Sequence, residues 1–296
     1  MNYLADSILR AAAGGDPGCP LCSALEQRTL AEYRGKSLRK CFHCGGSYVV
    51  PQPSPAELVA HFQEDNTDEN GLERKFELNR ERVLSRVAHY IQRRRQQGTI
   101  LDVGCATGLF LARFLRDPGW DAWGLELTSS VAEKAAERGV RIFRGDIQQA
   151  HFAENSFDVV SVLDALYYFP QPHRELAEFR RVLTPDGLLV LELPLATSRI
   201  WRTSRTLGRL LSGSRRPLLQ SSDHLFYFTP KSVALLLARC GFRVEDILPL
   251  PGNRQAHLSR DLAVLAYSLA SSLLHRASGA SIFLGPRFLV AAAKTT

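Results

Sequence analysis

A short apolar strand that runs directly into a glycine loop restricts the fold of this chain more than any other feature of its sequence. Residues 99–103 form the predicted strand, residues 104–108 the loop, and residues 109–115 the start of a predicted helix. Glycine in such a loop lets the main chain pass close to a ligand where a Cβ atom would collide. A dinucleotide site would show the pattern G-x-G-x-x-G, whereas this loop is G-x-x-x-G. The loop alone therefore does not select its ligand.

Further strands follow the loop in alternation with helices. A second apolar strand, residues 122–127, carries Glu126 near its end, 18 residues after Gly108. A carboxylate at that place can accept hydrogen bonds from both hydroxyl groups of a ribose, and an ordinary exposed carboxylate is the alternative. A third strand is predicted to end at 144–147, and further strands are predicted at 156–164 and 188–193, from 241–244 onward, and at 281–293. Helices are predicted at 73–95, 174–183, 231–239 and 258–274. This alternation predicts an α/β fold with a mostly parallel sheet.

The order of these motifs resembles that of the class I S-adenosylmethionine-dependent methyltransferases. The segments that carry the resemblance are LDVGCATG, WGLEL, RGDI, FDVVSVLDALYYFPQP and FRRVLTPDGLLVLELP. They occur in the order of that family, and the resemblance spans residues 75–296. It implies a seven-stranded, mostly parallel, Rossmann-like methyltransferase sheet with S-adenosyl-L-methionine as the cofactor.

The resemblance also implies which residues hold the cofactor. The glycine loop would bind the methionine part, with Asp102 nearby, and Glu126 would take the ribose hydroxyl groups. Leu127 and Ile147 would flank the adenine ring, and Asp146 would accept a hydrogen bond from its amino group. The implied cofactor-binding set is Asp102, Gly104, Cys105, Ala106, Gly108, Glu126, Leu127, Asp146, Ile147 and Leu163.

The catalytic residues are less clearly indicated than the cofactor site. Many relatives carry a Glu-His pair just after the fourth strand, but this chain has Asp164-Ala165, so the usual histidine is missing. His224 follows the segment expected on the substrate side, and we predict His224 and Asp164 as the catalytic residues. A structural histidine bonded to the backbone is the alternative for His224. Aromatic residues 167–169 would form a rim suited to an apolar or sugar substrate.

Two Cys-x-x-Cys pairs stand near the beginning of the chain. Their spacing matches a four-thiolate zinc site, in which each turn presents two sulfur atoms to the metal. The alternatives are two disulfides, which need an oxidising compartment, or a redox Cys-x-x-Cys, which needs a single pair. His43 lies between the last two cysteines, but the spacing favours the thiolates. The predicted ligands of a structural Zn²⁺ are Cys19, Cys22, Cys41 and Cys44.

The net charge of +7 is concentrated in one segment. Between Glu192 and Asp223 there is no acidic residue, but there are six arginines, interleaved with apolar residues: Arg199, Arg202, Arg205, Arg209, Arg215 and Arg216. The guanidinium group of arginine can donate paired hydrogen bonds to phosphate oxygens, and apolar side chains can enter a membrane interface. We predict a substrate-side lid at 195–228 that meets a phosphate-bearing or lipid-linked acceptor or an anionic membrane. Nucleic acid is a less favoured partner because no RNA-binding sheet motif or base-methylation motif accompanies the arginines.

These features predict three regions: a zinc ribbon in 1–50, a linker with N-terminal helices in 51–97, and a methyltransferase domain in 98–296. The expected activity is S-adenosylmethionine-dependent methyl transfer to a small-molecule acceptor, such as a sugar or a lipid-linked glycan. The alternatives are an RNA methyltransferase that uses the ribbon and the basic lid, and a non-catalytic S-adenosylmethionine-binding module. No stretch reaches the roughly 20 apolar residues of a membrane span, and no signal-peptide run is present. We expect a cytoplasmic protein with peripheral contact to the inner membrane surface.

Overall fold

The computed structural model describes residues 18–33, 35–54, 57, 72–195, 224–253, 258–279 and 283–295. The strands are β1 (Gln27–Tyr33), β2 (Lys36–Cys41), β3 (Ser47–Val50), β4 (Gly98–Val103), β5 (Trp120–Glu126), β6 (Arg141–Arg144), β7 (Phe157–Leu163), β8 (Leu183–Pro194), β9 (Phe226–Tyr227), β10 (Phe242–Leu250) and β11 (Arg287–Lys294). The helices are α1 (Leu72–Arg94), α2 (Ser129–Glu137), α3 (Pro172–Val182), α4 (Pro230–Arg239) and α5 (Leu258–Ala277). The strands are arranged in two separate sheets.

The larger sheet has seven strands in the order β10-β11-β8-β7-β4-β5-β6. Strands β4 to β8 pair in parallel, and β11 is antiparallel to both of its neighbours. The middle strands are nearly continuous runs of buried apolar residues, as is typical of parallel strands that are covered on both faces. The predicted α/β fold with a mostly parallel, Rossmann-like, seven-stranded sheet is confirmed.

Helices cover both faces of this sheet. Successive residues of β8 alternate between two apolar cores: Leu189 and Leu191 belong to one, and Leu188 and Val190 belong to the other. The first core includes side chains of α3 and α4, and the second includes side chains of α1 and α2. Because β4 and β7 are adjacent parallel strands, the loops at their carboxyl ends lie side by side.

The helix predicted directly after the glycine loop is shorter than expected. Residues 109–116 form turns, of which Leu111–Arg113 is a 3₁₀-helix. The guanidinium of Arg113 donates a 2.6 Å hydrogen bond to the Leu109 carbonyl oxygen, the acceptor that a regular α-helix would offer to the Arg113 amide. That amide bonds to the Phe110 carbonyl oxygen instead, at 3.2 Å. The side chain thus competes with the backbone for the same acceptor.

The smaller sheet combines the beginning of the chain with a distant segment. Its strand order is β1-β2-β3-β9, and β9 pairs antiparallel with β3 through Ser47 with Tyr227 and Tyr48 with Phe226. Strand β9 lies just before α4, which packs on the larger sheet. The segment after residue 223 therefore links the cysteine-rich region to the larger sheet. The division into 1–50, 51–97 and 98–296 stays a prediction.

The six arginines of the predicted lid lie outside the described residues, as does most of the segment 195–228. Within the part of the chain that is described, no helix combines the length and the apolar character needed to cross a membrane.

Candidate active site

The glycine loop turns sharply at the carboxyl end of β4. Gly104 and Gly108 have φ angles of +73° and +75°, and Ala106 has a φ of +49°. A Cβ atom on Gly104 would lie 3.1 Å from the Cβ of Ala165, and one on Gly108 would lie 3.0 Å from the Cβ of Ala135 in α2. Gly104 thus lets the loop after β7 approach the glycine loop closely. Gly108 lets α2 pack directly against it.

A narrow cavity borders this loop. Its lining comes from α1, from β4 and the glycine loop, and from the end of β7: Arg80, Leu84, Asp102, Gly104, Cys105, Ala106, Leu109, Phe110 and Leu163. Half of the predicted cofactor residues therefore share this cavity. Cys105 packs tightly against Gly124, and burial raises the pKa of its thiol, so that the residue acts as a small neutral side chain.

Asp102 is a buried carboxyl group in the floor of the cavity. It lies opposite Ser161 in the pairing of β4 with β7, and the Ser161 hydroxyl donates a 2.6 Å hydrogen bond to it. Burial raises the pKa of Asp102 to about 7, although the Ser161 hydrogen bond and the positive charge of Arg80 oppose the shift. The nearby negative charge of Glu126 raises the pKa further. Asp102 therefore changes its protonation state near neutral pH.

Glu126 connects the glycine loop to the end of β5. Its Oε2 accepts a 3.0 Å hydrogen bond from the Ala106 amide, and its Oε1 accepts bonds of 2.9 and 3.0 Å from the amides of Leu127 and Thr128. Burial raises the pKa of Glu126, while these amides act in the opposite direction. The carboxylate is thereby held in a fixed orientation beside the loop that lines the cavity.

The predicted adenine-side residues lie next to Glu126. The Gly145 amide donates a 3.1 Å hydrogen bond to the Glu126 carbonyl oxygen, which places the end of β6 beside the end of β5. Asp146 is exposed, and its carboxylate accepts a 2.8 Å hydrogen bond from the Gln149 amide. Ile147 is buried in the first core, and its contact with an adenine ring stays a prediction.

Four charged side chains, which we call the ion quartet, form a closed buried network beside the cavity: Arg80, Asp164, Glu192 and Arg287. Each arginine contacts both carboxylates, and the Nε atom of Arg80 lies 3.6 Å from Oδ2 of Asp164. Burial alone would raise the pKa of the Asp164 carboxyl, but Arg287 and Arg80 hold that pKa below its usual value. Asp164 is therefore a weak proton acceptor at neutral pH.

An aromatic cluster lies directly on Asp164. The Tyr167 hydroxyl donates a 2.7 Å hydrogen bond to Oδ1 of Asp164, and the Tyr167 ring packs against the His224 ring at an angle of 35°, with centroids 3.8 Å apart. Tyr168 and Tyr227 lie 5.6 and 5.9 Å from the His224 ring. The structure thus joins the two predicted catalytic residues through Tyr167, and their catalytic roles stay predictions.

The four cysteines of the N-terminal region converge. Their Sγ atoms all lie within 4.8 Å of one another, with Cys19 3.8 Å from Cys44 and Cys22 3.6 Å from Cys41. These distances are longer than the S–S bond of a disulfide, which is about 2.05 Å, so the four thiols are unpaired in this structure. A tetrahedron with Zn–S bonds of about 2.3 Å has edges of about 3.8 Å, so the donor set fits a four-thiolate site. His43 is exposed and lies outside the cluster.

Three members of the ion quartet were not predicted from the sequence. Glu192 offers the clearest signal, because it stands among leucines in a buried strand, where a carboxylate needs a cationic partner. The partners themselves could not be identified, since Arg80 and Arg287 lie 112 and 95 residues away along the chain.

The parallel sheet, the glycine loop and the carboxylate at the end of β5 together define an S-adenosylmethionine-dependent methyltransferase. The chain belongs to this family, because the model of the methyltransferase domain matches residues 74–247, which is more than half of the chain. S-adenosylmethionine is accordingly its cofactor.

Known methyltransferases are similar to parts of this chain. The demethylmenaquinone methyltransferase of Thermus thermophilus is 30% identical over 177 residues, which cover 54% of this chain and 80% of that protein. The phthiotriol/phenolphthiotriol dimycocerosates methyltransferase 1 of Mycobacterium ulcerans is 30% identical over 138 residues, which cover 44% and 49% of the two chains. The chain spans less than two thirds of the length of the first curated relatives that it matches.

A solved structure supports the fold alone. The S-adenosylmethionine-dependent methyltransferase of Thermotoga maritima, a possible histamine N-methyltransferase, superposes with a TM-score of 0.53 at 15% identity. The superposition covers 81% of this chain and 99% of that one.

Proposed function

We propose that this protein transfers a methyl group to a small-molecule acceptor with an apolar or sugar part, such as a lipid-linked glycan. The aromatic cluster of Tyr167, Tyr168, His224 and Tyr227 carries the proposal. Aromatic faces bind apolar groups, and the close approach of Ala165 to the glycine loop brings this cluster next to the cofactor cavity. The names of the two relatives described above support an acceptor that is a small molecule.

When bound, S-adenosylmethionine supplies an electrophilic methyl group, which the acceptor atom takes as the carbon–sulfur bond breaks. The chain has to orient the acceptor in line with that bond and exclude water, and orientation alone can supply about 7–11 kcal/mol. Where the acceptor atom is a hydroxyl oxygen, His224 accepts the proton that this oxygen loses. Asp164 holds Tyr167 in place, and Tyr167 supports the His224 ring.

In this proposal the cofactor residues have separate tasks. Glu126 accepts hydrogen bonds from the ribose hydroxyl groups, and Asp102 faces the positively charged methionine part. Leu127 and Ile147 flank the adenine ring, and Asp146 binds its amino group. The fixed orientation of Glu126, held by three backbone amides, supports the first of these assignments.

The cysteine cluster is the proposed site of a structural Zn²⁺. Four thiolates leave no open position for a substrate, so the metal stabilises the fold and takes no part in the chemistry. Purified, reduced protein should contain one zinc ion per chain, and Cys19→Ser should lose it. Cys240→Ser is the matched control, because Cys240 lies outside the cluster and should leave the zinc content unchanged. Metal analysis that finds no zinc in the wild type would overturn this assignment.

Methyl transfer can be tested with S-adenosylmethionine that carries tritium in its methyl group. The acceptors are a lipid extract, a water-soluble metabolite extract and total RNA, each prepared from the source organism. We expect the label in the lipid or metabolite fraction, with a strong decrease for His224→Gln. Label in RNA, or cofactor binding without transfer to any fraction, would contradict the proposal.

A further inference from the structure

Helix α5 has the reverse of the usual distribution of polar and apolar residues. Every exposed residue from 262 to 274 is a leucine or an alanine, and these residues, which we call the apolar stripe, are Leu262, Ala263, Ala266, Leu269, Ala270, Leu273 and Leu274. Leu262, Leu269 and Leu273 are 56%, 54% and 66% exposed. Scattered exposed leucines are ordinary, but a continuous stripe marks an interaction surface.

The opposite face of α5 is polar and buried. Asp261, Ser268, Ser271 and His275 lie on this face. The Ser268 hydroxyl accepts a 3.1 Å hydrogen bond from the Gly252 amide, and His275 contacts the ring of Phe283 at 5.2 Å. These contacts fix the rotation of the helix about its axis, so that the leucines cannot turn inward without breaking them.

The stripe lies at the catalytic edge of the sheet. Helix α5 connects the end of β10 to the start of β11, where Arg287 pairs with Pro194 at the carboxyl end of β8. Asp261 accepts two hydrogen bonds, of 2.7 and 2.6 Å, from Arg82 of α1. Arg82 follows Arg80 of the ion quartet by two residues. Helix α5 therefore lies at the same edge of the sheet as the carboxyl end of β8, and its first turn is tied to α1.

We infer that the apolar stripe rests on the surface of a bilayer that contains anionic phospholipid. Helix α5 has 20 residues and is therefore about 30 Å long, and it would lie in the plane of the interface. Arg260 lies in its first turn and Arg276 is exposed in its last turn. Arginines at both ends of an apolar helix suit an interface in which leucines enter the acyl boundary and cations meet phosphates.

The same charges disfavour a second copy of the chain as the occupant. Asp261 is the only acidic residue of α5, and Arg82 already occupies its carboxylate. In an antiparallel pair of α5 helices, the first turn, which contains Arg260, would lie beside the last turn of the other copy, which contains Arg276. In a parallel pair, the two Arg276 side chains would meet. Like charges repel in either arrangement, whereas an anionic bilayer supplies the opposite charge.

Sedimentation with vesicles tests the inference directly. Vesicles of phosphatidylcholine with roughly one third phosphatidylglycerol are compared with pure phosphatidylcholine vesicles, at low and high salt. We expect the wild type to sediment mainly with the anionic vesicles. For Leu269→Asp/Leu273→Asp, partitioning should fall about tenfold or more, because two leucines no longer enter an apolar medium. Hydrogen–deuterium exchange should show that vesicles protect residues 262–274 in the wild type.

The matched control is Leu25→Asp/Leu30→Asp, which makes the same chemical change at exposed leucines of the cysteine-rich region. It should sediment like the wild type. Wild-type protein that ignores anionic vesicles, or a stripe variant that still binds them, overturns the inference. A third outcome also overturns the inference: the wild type is a dimer that does not bind vesicles, and the stripe variant is a monomer. The stripe would then be the contact with a second copy of the chain.

The inference goes beyond the proposed function and is measured independently of it. Vesicle binding requires neither cofactor nor acceptor, and calorimetry with S-adenosylmethionine on the same three proteins requires no vesicles. If the protein binds S-adenosylmethionine but not vesicles, only the inference that the stripe binds a membrane is overturned. Vesicle binding without methyl transfer to any acceptor fraction leaves the membrane surface standing and counts against the proposed activity.

Discussion

The hydroxyl of Thr229 donates a 2.8 Å hydrogen bond to the carbonyl oxygen of Cys44. The same side chain caps the N-terminus of α4, where it accepts a 3.1 Å hydrogen bond from the Ser232 amide. One buried threonine therefore connects the cysteine cluster to a helix of the larger sheet. Five residues before it, His224 lies on Tyr167 at the candidate active site. The cysteine cluster is thus positioned to support the segment that carries His224.

Thr229→Val should lower the free energy of unfolding by about 2–3 kcal/mol. The substitution keeps the shape of the side chain but removes the helix cap and leaves the Cys44 carbonyl without its buried donor. Urea unfolding followed by circular dichroism measures the change. Thr295→Val serves as the control, because the Thr295 hydroxyl donates to the Gly241 carbonyl at an exposed position. The control should stay within about 0.5 kcal/mol of the wild type, and equal losses in both variants would refute the special role of Thr229.

Glu126→Gln should weaken S-adenosylmethionine binding by roughly 1–3 kcal/mol. A neutral amide forms weaker hydrogen bonds to the ribose hydroxyl groups than a carboxylate does. In addition, its NH₂ group is a donor and would face at least one backbone amide that is also a donor, so that this hydrogen bond is lost. Titration calorimetry measures the affinity. Glu133→Gln is the matched control on the exposed surface of α2, where Glu133 pairs only with Arg144 in the contacts described. Unchanged affinity for Glu126→Gln would remove this residue from the cofactor site.

The fold was largely predictable because its central strands are covered on both faces. Such strands are continuous apolar runs in the sequence, and the glycine loop marks where the first of them ends. The periodicity of apolar residues also located the helices closely: residues 73–95 were predicted for α1 (Leu72–Arg94) and 231–239 for α4 (Pro230–Arg239). The periodicity of apolar residues does not distinguish the 3₁₀ turn after the glycine loop, with its bond from the Arg113 side chain to the Leu109 carbonyl oxygen, from the expected α-helix.

Contacts between distant segments could not be predicted in this way. Strand β9 has only two residues, and its pairing with β3 depends on where the fold places them. The ion quartet likewise joins α1, β8 and β11 with the loop after β7. The polarity of α5 is a third case. Its sequence indicates a helix with apolar faces, but tertiary contacts decide that serines and a histidine are buried and leucines are exposed.

The affinity for S-adenosylmethionine should increase as the pH rises from about 6 to about 8. The pKa of Asp102 is about 7, so the carboxyl is mostly protonated below neutrality. The positively charged cofactor favours the ionised form, and binding below pH 7 therefore releases a proton. Calorimetry in two buffers with different ionisation enthalpies measures both the affinity and the released proton. Asp102→Asn should remove this dependence, and an affinity that does not change with pH in the wild type would contradict it.

Ser161→Ala provides a directional control for the same titration. The Ser161 hydroxyl lowers the pKa of Asp102, so its removal should move the pH profile of binding to higher pH.

The raised pKa of Asp102 should also make the free energy of unfolding of the cofactor-free protein depend on pH. In the unfolded chain the Asp102 carboxyl ionises at about pH 3.9, whereas in the folded protein it stays protonated up to its higher pKa. The free energy of unfolding should therefore fall as the pH rises between these two values, and Asp102→Asn should reduce this slope.

Arg287→Met should lower the free energy of unfolding by about 3–5 kcal/mol, because it leaves the carboxylates of Asp164 and Glu192 buried with one remaining cation. Glu192 is completely buried, so water cannot replace the lost partner. Glu192→Gln should also destabilise the protein, since it leaves two arginines with one carboxylate. The double variant Arg287→Met/Glu192→Gln restores charge balance through Arg80 and Asp164. Its loss should be smaller than the two single losses combined by about 1–3 kcal/mol.

Urea unfolding of the wild type, both single variants and the double variant measures this coupling. The exposed pair of Arg144 and Glu133 is the control, with 54% and 60% of the two side chains accessible. Arg144→Met and Glu133→Gln should show a coupling of about 0–1 kcal/mol, because water screens an exposed pair. If the losses at Arg287 and Glu192 were simply additive, the two charges would not depend on one another. The ion quartet would then not be the closed network that holds Asp164 beneath Tyr167.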